Sequence, residues 1–191
     1  MKLEYIFFVF LLSVMEKIAL TGGIGTGKTF ISRIFIKQGI PVFYADEEAK
    51  KLYNRKEVIE KIRKIFGDDV FVEEKLDFGK LAQCVFQDEV LLAKLNAIIH
   101  PLVMQEFERW AMQQNCDKVM MESALIYEAD LQNYFDKVIV VNASVPVRIA
   151  RIKRRNPQMS EAEIMERIHR QIGQEQKCLW ADEVIEHDED W

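Results

Sequence analysis

The sequence predicts an α/β fold with a parallel sheet, because short apolar runs alternate with segments of helical periodicity. Apolar runs of this length fill strands that are buried on both faces of a parallel sheet. Alternating strands and helices are joined by right-handed crossovers in such a sheet. The expected strands are Lys17–Thr21, Ile40–Tyr44, Lys118–Glu122, Lys137–Asn142 and Glu183–Glu186.

One interval between the expected strands is too long for a single crossover. Residues 56–114 have the periodicity of several helices and contain no strong strand pattern. The pair His100-Pro101 predicts the start of the last helix, since proline is favoured at the first helical position. We therefore expect an inserted helical subdomain at about 47–117 that binds the substrate.

The segment that follows the fourth expected strand is also helical. Residues 145–180 predict two helices that are separated near Asn156-Pro157. Ser160 and Glu163 have the spacing of a capping box at the start of the second helix. We expect this segment to contain a lid at about 151–178.

Composition and charge limit the classes of function. The chain has 191 residues, of which 49% are apolar, and its formal net charge is −5. These values fit a single compact domain and argue against a general nucleic-acid binder, which requires a basic surface. The cysteines Cys84, Cys116 and Cys178 are far apart and form no metal-ligand spacing, which favours reduced thiols in the cytoplasm over disulfides or zinc. We expect a monomer or weak homo-oligomer with no membrane partner.

The N-terminal run Tyr5–Val14 is apolar but shorter than the ~18 residues that a membrane span requires. As a signal sequence it would lack a strongly basic start and a small-residue cleavage site. Met15 is followed at once by the first strand pattern. We therefore expect Met15 to be the natural start, with residues 1–14 an upstream extension and residues 15–191 a single domain.

Residues Gly22–Thr29 match the pattern G-x-x-x-x-G-K-[ST], which forms a phosphate-binding loop between a strand and a helix. Glycines let the backbone turn its N–H groups toward phosphate oxygens, and the following helix adds the positive end of its dipole. We expect Lys28 to contact the β- and γ-phosphates of ATP and Thr29 to ligate Mg²⁺. The alternative is a glycine-rich turn with no ligand. The expected nucleotide contacts are Gly23, Ile24, Gly25, Thr26, Gly27, Lys28, Thr29 and Phe30.

Two acids follow expected strands, at the edge where open parallel sheets bind their ligands. Glu122 ends a buried strand and is expected to act on Mg²⁺ or its water shell; the alternative is a solvated strand end. Asp46 is expected to lie close to the phosphate loop and to face the insertion, where it could accept the proton of an attacking hydroxyl. The alternative for Asp46 is an N-cap of a helix that starts at Glu47.

An arginine segment follows the fourth expected strand and comprises Arg148, Arg151, Arg154 and Arg155. Arg151 and Arg155 are four residues apart and therefore share one face of a helix. Guanidinium groups stack on bases and bind phosphate with two donors, so we expect both to act on the nucleotide. Mobile arginines in phosphoryl transfer also neutralise the transferring group and help to exclude water. The alternative is a solvated basic face.

Further segments between Lys17 and His187 resemble one family of kinases. They are Ile18–Thr29, with a doubled glycine and an isoleucine; Gly39–Val42 with Ala45-Asp46; Asn96 with His100–Leu102; Glu122–Glu128; and Arg167-Ile168, Gln171, Glu175, Lys177, Ala181-Asp182 and Val184-Ile185. In this combination and order they resemble the dephospho-CoA kinase family.

The resemblance implies a P-loop kinase fold, a three-layer structure with a helical CoA-binding insertion and a lid. It implies transfer of the ATP γ-phosphoryl group to the ribose 3′-hydroxyl of dephospho-CoA, the last step of coenzyme A synthesis. On this pattern Asp46 is the base, Lys28 and Arg155 act on the transferred group, and His100 lies in the substrate subdomain. Arg151 and Arg155 would carry the contacts to adenine and phosphate.

The chain departs from the family pattern at several positions. Tyr44 stands where many members have a first aspartate of an Asp-Ala-Asp sequence, so any role of that acid is lost. Ala124 replaces a proline, and His187 replaces an asparagine near the adenine. Family members usually continue with one more helix beyond the position of Trp191, so we expect apolar surface here that such a helix would cover.

Two other functions share the phosphate loop. A kinase for a nucleoside monophosphate or a small metabolite would not predict His100-Pro101 or the segment Glu122–Glu128. A nucleotide-binding regulator would bind ATP without transferring phosphate. The sequence has no Asn-Lys-x-Asp motif for guanine, which argues against a GTPase switch.

Overall fold

The computed structural model describes residues 15–86 and 88–189. The apolar run Tyr5–Val14 and the expected N-terminal extension lie outside the described residues.

The described part of the chain contains seven strands and eight α-helices. In chain order the strands are β1 (Glu16–Thr21), β2 (Val42–Tyr44), β3 (Phe71–Val72), β4 (Lys75–Leu76), β5 (Lys118–Glu122), β6 (Lys137–Asn142) and β7 (Glu183–Glu186). The helices are α1 (Lys28–Lys37), α2 (Ala45–Leu52), α3 (Lys56–Phe66), α4 (Phe78–Phe86), α5 (Glu89–Ala111), α6 (Val145–Arg155), α7 (Glu161–His169) and α8 (Gln174–Trp180), with a short 3₁₀ turn at Gln132–Tyr134.

Five of the strands form one sheet in the order β2-β5-β1-β6-β7. The pairs β1–β5, β1–β6 and β6–β7 are parallel, with Leu20 opposite Glu122 and Thr21 opposite Val140. The predicted α/β class with a parallel sheet is therefore confirmed. All five expected strands are present, and β2 begins at Val42 rather than at Ile40.

The hydrophobic core beside this sheet is built from apolar residues of its strands and of helix α1. Ile18 and Leu20 of β1 pack with residues of β5, β6 and α1. The other buried members of this cluster are Ile31, Met120, Ile139 and Val141. Burial of apolar surface stabilises the folded state by about 25 cal/mol per Å². The packing of this cluster therefore holds in place the strand ends from which the loops of the candidate site emerge.

The chain divides into two compact units, one up to Phe43 and from Gln113 onward, and the other from Tyr44 to Met112. The second unit begins and ends somewhat earlier than the insertion expected at about 47–117. Within it, α2, α3 and α4 all pack against the long helix α5. Its binding of a substrate stays a prediction.

The predicted helix start at His100-Pro101 is wrong, because α5 runs continuously through Pro101. Proline removes one backbone donor from a helix interior, which costs stability but does not always end the helix. Here the buried residues Ile99, Val103 and Met104 lie on both sides of Pro101, and their packing keeps the helix intact. The helix instead begins after Asp88, whose side chain accepts from the N–H groups of Val90 and Leu91.

Two further details differ from the expectation. The segment after β6 forms three helices rather than two, because α8 begins separately after Gly173. Within this segment the predicted capping box of Ser160 and Glu163, at the start of α7, is nevertheless confirmed. The second unit also contains the antiparallel pair β3–β4, for which the sequence predicted no strand.

Among the described residues, one helix, α5, has the length and apolar composition that a membrane crossing requires. Core helices of water-soluble proteins also meet this criterion, so it is weak evidence for a membrane span. Three other helices pack against α5, on which Leu95, Ile99 and Phe107 are buried.

Candidate active site

The predicted phosphate loop connects the buried end of β1 to the start of α1. Gly27 has φ 94°, in the left-handed region that favours glycine. A Cβ atom at this position would lie 2.3 Å from Nδ1 of His187. Both the turn and the close approach of His187 therefore require glycine immediately before α1.

The loop is held in a tight turn by bonds between its own groups. The hydroxyl of Thr26 donates to the carbonyl of Gly23 at 3.0 Å, and Nζ of Lys28 donates to the carbonyl of Gly22 at 3.0 Å. Helix α1 starts at Lys28 with no side-chain cap at Gly27. The first turn of such a helix presents backbone N–H groups and a positive partial charge, which favour a phosphate group.

Thr29 and Glu122 come together at the ends of α1 and β5. The hydroxyl of Thr29 donates to Oε2 of Glu122 at 3.1 Å. Glu122 is 8% exposed, so its alternative interpretation as a solvated strand end is wrong. A hydroxyl and a carboxylate at this distance are hard oxygen donors of the kind that Mg²⁺ prefers.

The arginine segment lies against the phosphate loop. Nε of Arg148 donates to the carbonyl of Ile24 at 2.9 Å, and Arg148 is 3% exposed. Burial lowers the pKa of its guanidinium below the usual value. Nη1 of Arg151 donates to the carbonyl of Thr26 at 3.1 Å, and Nη2 donates to the carbonyl of Glu189. For these two arginines the alternative of a solvated basic face is wrong, whereas Arg155 is exposed.

A cleft of about 520 Å³ opens beside the first turn of α1. Its wall includes the stacked rings of Phe30 and His187, whose centroids are 5.2 Å apart and whose planes differ by 12°. Nδ1 of His187 lies 3.0 Å from the carbonyl of Thr26. An aromatic wall with several guanidinium groups suits a base and its phosphates. The lining residues are Gly27, Phe30, Arg33, Arg151, Arg154, Arg155, His187 and Glu189.

Two predicted site residues belong to the unit Tyr44–Met112. Asp46 is the second residue of α2, and Tyr44 takes the N-cap position. The alternative interpretation of Asp46 as an N-cap is therefore wrong, and Asp46 is exposed. His100 lies in α5, where burial lowers the pKa of its imidazole. The roles of Asp46 and His100 stay predictions.

Sequence reasoning missed two glutamines that contact the phosphate loop. The N–H of Gly23 donates to Oε1 of Gln174 at 2.9 Å, and the N–H of Ile24 donates to Oε1 of Gln171 at 2.7 Å. The resemblance included Gln171 but gave it no function. A neutral side chain that binds the backbone from more than 140 positions away leaves no local pattern in the sequence.

Comparisons with known proteins agree on one family. A family model described as dephospho-CoA kinase matches residues 16–191. The dephospho-CoA kinase of Bacteroides fragilis is 37% identical over 174 residues, which cover 90% of this chain and 84% of the relative.

Solved structures show the same fold. The crystal structure of TT1252 from Thermus thermophilus has a TM-score of 0.83 and 28% identity, and the match covers 92% of this chain and 90% of that one. A dephospho-CoA kinase from Campylobacter jejuni has a TM-score of 0.64 and 22% identity, with 92% and 89% covered. At the latter identity the likeness concerns the fold alone.

Proposed function

Since the chain belongs to the dephospho-CoA kinase family, we propose that it transfers the γ-phosphoryl group of ATP to the 3′-hydroxyl of dephospho-CoA. The observation that carries this proposal is the match to the family over residues 16–191, which includes the phosphate loop and Glu122. ADP and coenzyme A are the products. The enzyme would thereby complete the synthesis of coenzyme A.

The phosphate loop would hold the donor nucleotide. The first turn of α1 has no side-chain cap, which supports a role for its N–H groups in binding the α- and β-phosphates. The N–H of Phe30 donates to the carbonyl of Gly27 at 2.9 Å. Lys28, at the base of the loop, would neutralise charge on the β- and γ-phosphates. The adenosine would lie in the cleft beside Phe30 and His187, with Arg151 against the adenine ring.

The transfer requires a group that accepts the hydroxyl proton and cationic groups that neutralise the phosphoryl oxygens. The 3′-hydroxyl oxygen forms a bond to the γ-phosphorus, the bond from that phosphorus to the β,γ-bridging oxygen breaks, and the hydroxyl proton moves to the carboxylate of Asp46. Arg155, exposed on the wall of the cleft, would neutralise the phosphoryl oxygens during the transfer. His100 would contact the acceptor.

The residues at the loop fit a magnesium ion. Thr29 and Glu122 offer one hydroxyl and one carboxylate, and the described residues contain no cluster of three His, Cys, Asp or Glu side chains for a metal. Magnesium sites of kinases commonly use one or two protein oxygens together with phosphate oxygens and water. When bound, Mg²⁺ would neutralise charge on the β- and γ-phosphates.

We also propose a cytoplasmic enzyme that needs no partner beyond ATP and dephospho-CoA, as a monomer or a weak homo-oligomer. All three cysteines are free thiols, which agrees with a reducing compartment.

The proposed acceptor is tested by a panel of phosphoryl acceptors. We expect turnover with dephospho-CoA, and values of kcat/KM for AMP, CMP and shikimate that are lower by orders of magnitude. Preferred turnover of one of the other acceptors would indicate a different kinase on the same core. ATP binding without transfer to any acceptor would indicate a nucleotide-binding regulator.

Replacing Arg155 or Arg151 with lysine should clearly reduce turnover, because lysine keeps the charge but loses the planar pair of donors. We expect about tenfold or more for Arg155→Lys, measured as kcat with saturating substrates. Arg170→Lys is the matched control, because Arg170 is paired with Glu166 on α7 and a lysine can keep that ion pair. Near-full activity in both Arg151→Lys and Arg155→Lys would show that the arginine segment does not act on the nucleotide.

Replacing Thr29 with alanine should raise the Mg²⁺ concentration needed for half-maximal turnover more than it changes the affinity for dephospho-CoA. The change removes one oxygen that lies 3.1 Å from Glu122 and leaves the glycines of the loop intact. The measurement is a Mg²⁺ titration of activity, with direct titration of Mg²⁺-ATP binding beside it. An unchanged Mg²⁺ requirement would exclude Thr29 as a ligand.

A further inference from the structure

The first half of the phosphate loop is bonded to side chains from the start of α8 and the residues before it. Gln174 uses both ends of its amide: Oε1 accepts from the N–H of Gly23, and Nε2 donates to the carbonyl of Val141, each at 2.9 Å. Gln171 accepts from the N–H of Ile24 at 2.7 Å.

The amide of Gln174 bridges the backbone of Gly23 and Val141, just beyond the point where the pairing of β1 with β6 ends. The pairing of β1 with β6 ends at Thr21 opposite Val140, and the next residues are Gly22 and Val141. A primary amide carries a donor and an acceptor and can bridge one N–H and one C=O group. Glutamate or leucine could not make both bonds, so this position requires the amide.

The same part of the loop is closely packed from the other side. Nε of Arg148 donates to the carbonyl of Ile24. A Cβ atom at Gly23 would lie 2.4 Å from Nη2 of Arg148 and 3.1 Å from Oε1 of Gln174. The backbone of Gly23 and Ile24 is therefore enclosed by polar side chains with little room to shift.

The segment that carries the two glutamines also forms an ion pair, between the buried Lys177 and the partly buried Glu128. Nζ of Lys177 lies 2.6 Å from Oε1 of Glu128 and donates to the carbonyl of Ala124 at 3.0 Å. Oε1 of Glu128 also accepts from the N–H of Ile172. Lys177 is fully buried; burial lowers the pKa of its ammonium group, and the bond to Glu128 opposes that shift. These contacts connect residues 171–177 to the chain that follows Glu122.

We propose that Gln171 and Gln174 are positioning residues that fix the backbone of Gly23 and Ile24 and thereby hold the phosphate loop in the shape that binds ATP. This proposal rests on the proposed function of the site and narrows it. Gly23 and Ile24, which the sequence placed among the nucleotide contacts, shape the loop while their N–H groups bind Gln174 and Gln171. Lys28 and the second half of the loop are left to bind the phosphates.

The test uses ATP binding, which does not depend on the identity of the acceptor. Gln174→Leu removes two bonds to the backbone and leaves Gly23 and Val141 without these partners. We expect the dissociation constant for Mg²⁺-ATP to rise on the order of tenfold, as for the loss of one or two buried hydrogen bonds. The KM for dephospho-CoA should stay within about twofold, because the acceptor does not use these groups. Gln176→Leu, at an exposed position on the same helix, is the matched control.

A second measurement covers the case in which Gln174→Leu does not fold. In the wild-type protein the N–H groups of Gly23 and Ile24 should be protected from hydrogen exchange, both without nucleotide and with Mg²⁺-ATP. Rapid exchange without nucleotide, followed by protection with ATP, would assign these groups to the phosphates and overturn the proposal. Wild-type ATP affinity in a folded Gln174→Leu variant would also overturn it. Failure of the wild-type protein to bind ATP would instead contradict the proposed function.

Discussion

Replacing Lys28 with alanine is expected to abolish most of the turnover, with a loss of roughly 10²–10³-fold in kcat. Lys28 is buried at the base of the loop, and its ammonium group lies 3.0 Å from the carbonyl of Gly22. It is therefore positioned by the backbone before any phosphate binds. A fixed cation at a site of developing negative charge contributes more than a mobile cation in water, because little reorganisation is needed during the reaction. The measurement is kcat at saturating ATP and dephospho-CoA.

The matched control for Lys28→Ala is Lys37→Ala, which removes the same charge from the exposed last turn of α1. That variant should keep wild-type turnover. Mg²⁺-ATP should also bind more weakly to Lys28→Ala, since one positive donor to the β- and γ-phosphates is lost. If Lys28→Ala turns over normally, the phosphate loop has no part in the transfer.

The strands of the sheet were predictable because burial on both faces leaves a continuous apolar run. Val119, Met120 and Met121 in β5, and Val138–Val141 in β6, are all buried. The short pair β3–β4 was not predictable from such a run. Its turn places Glu73 and Glu74 at φ 47° and 65°, whereas the sequence signal for such a turn is asparagine or glycine.

The candidate site was predictable in part for a similar reason. Glycine, lysine and threonine at fixed spacing identify the phosphate loop because its geometry is local to one turn. Arg148 was named only as a member of the arginine segment although it lies buried against Ile24, since helical spacing shows which residues share a face but not what that face contacts. The bonds of Gln171 and Gln174 to the loop depend on tertiary structure and had no sequence signal of their own.

A separate prediction is that the carboxylate of Asp46 accepts the proton of the attacking hydroxyl group. An alcohol is a poor nucleophile, and a positioned carboxylate can orient it and accept its proton late in the transfer. Asp46 is exposed in the first turn of α2, and it does not cap the helix, because Tyr44 holds that position. Its carboxylate is therefore available for chemistry, and the helix start would lose only a favourable charge if that carboxylate were removed, about 0.3–1 kcal/mol.

Replacing Asp46 with asparagine should lower kcat by roughly 10²–10⁴-fold while the affinity for Mg²⁺-ATP stays nearly unchanged. Asparagine keeps the size of the side chain and removes its basicity. Glu47→Gln is the matched control, because it removes one negative charge from the same exposed first turn without altering Asp46. Both variants should unfold at similar temperatures, and only Asp46→Asn should lose turnover. Equal and small effects of the two substitutions would limit Asp46 to stabilising the start of α2, and the proton acceptor would then have to be sought at Glu122.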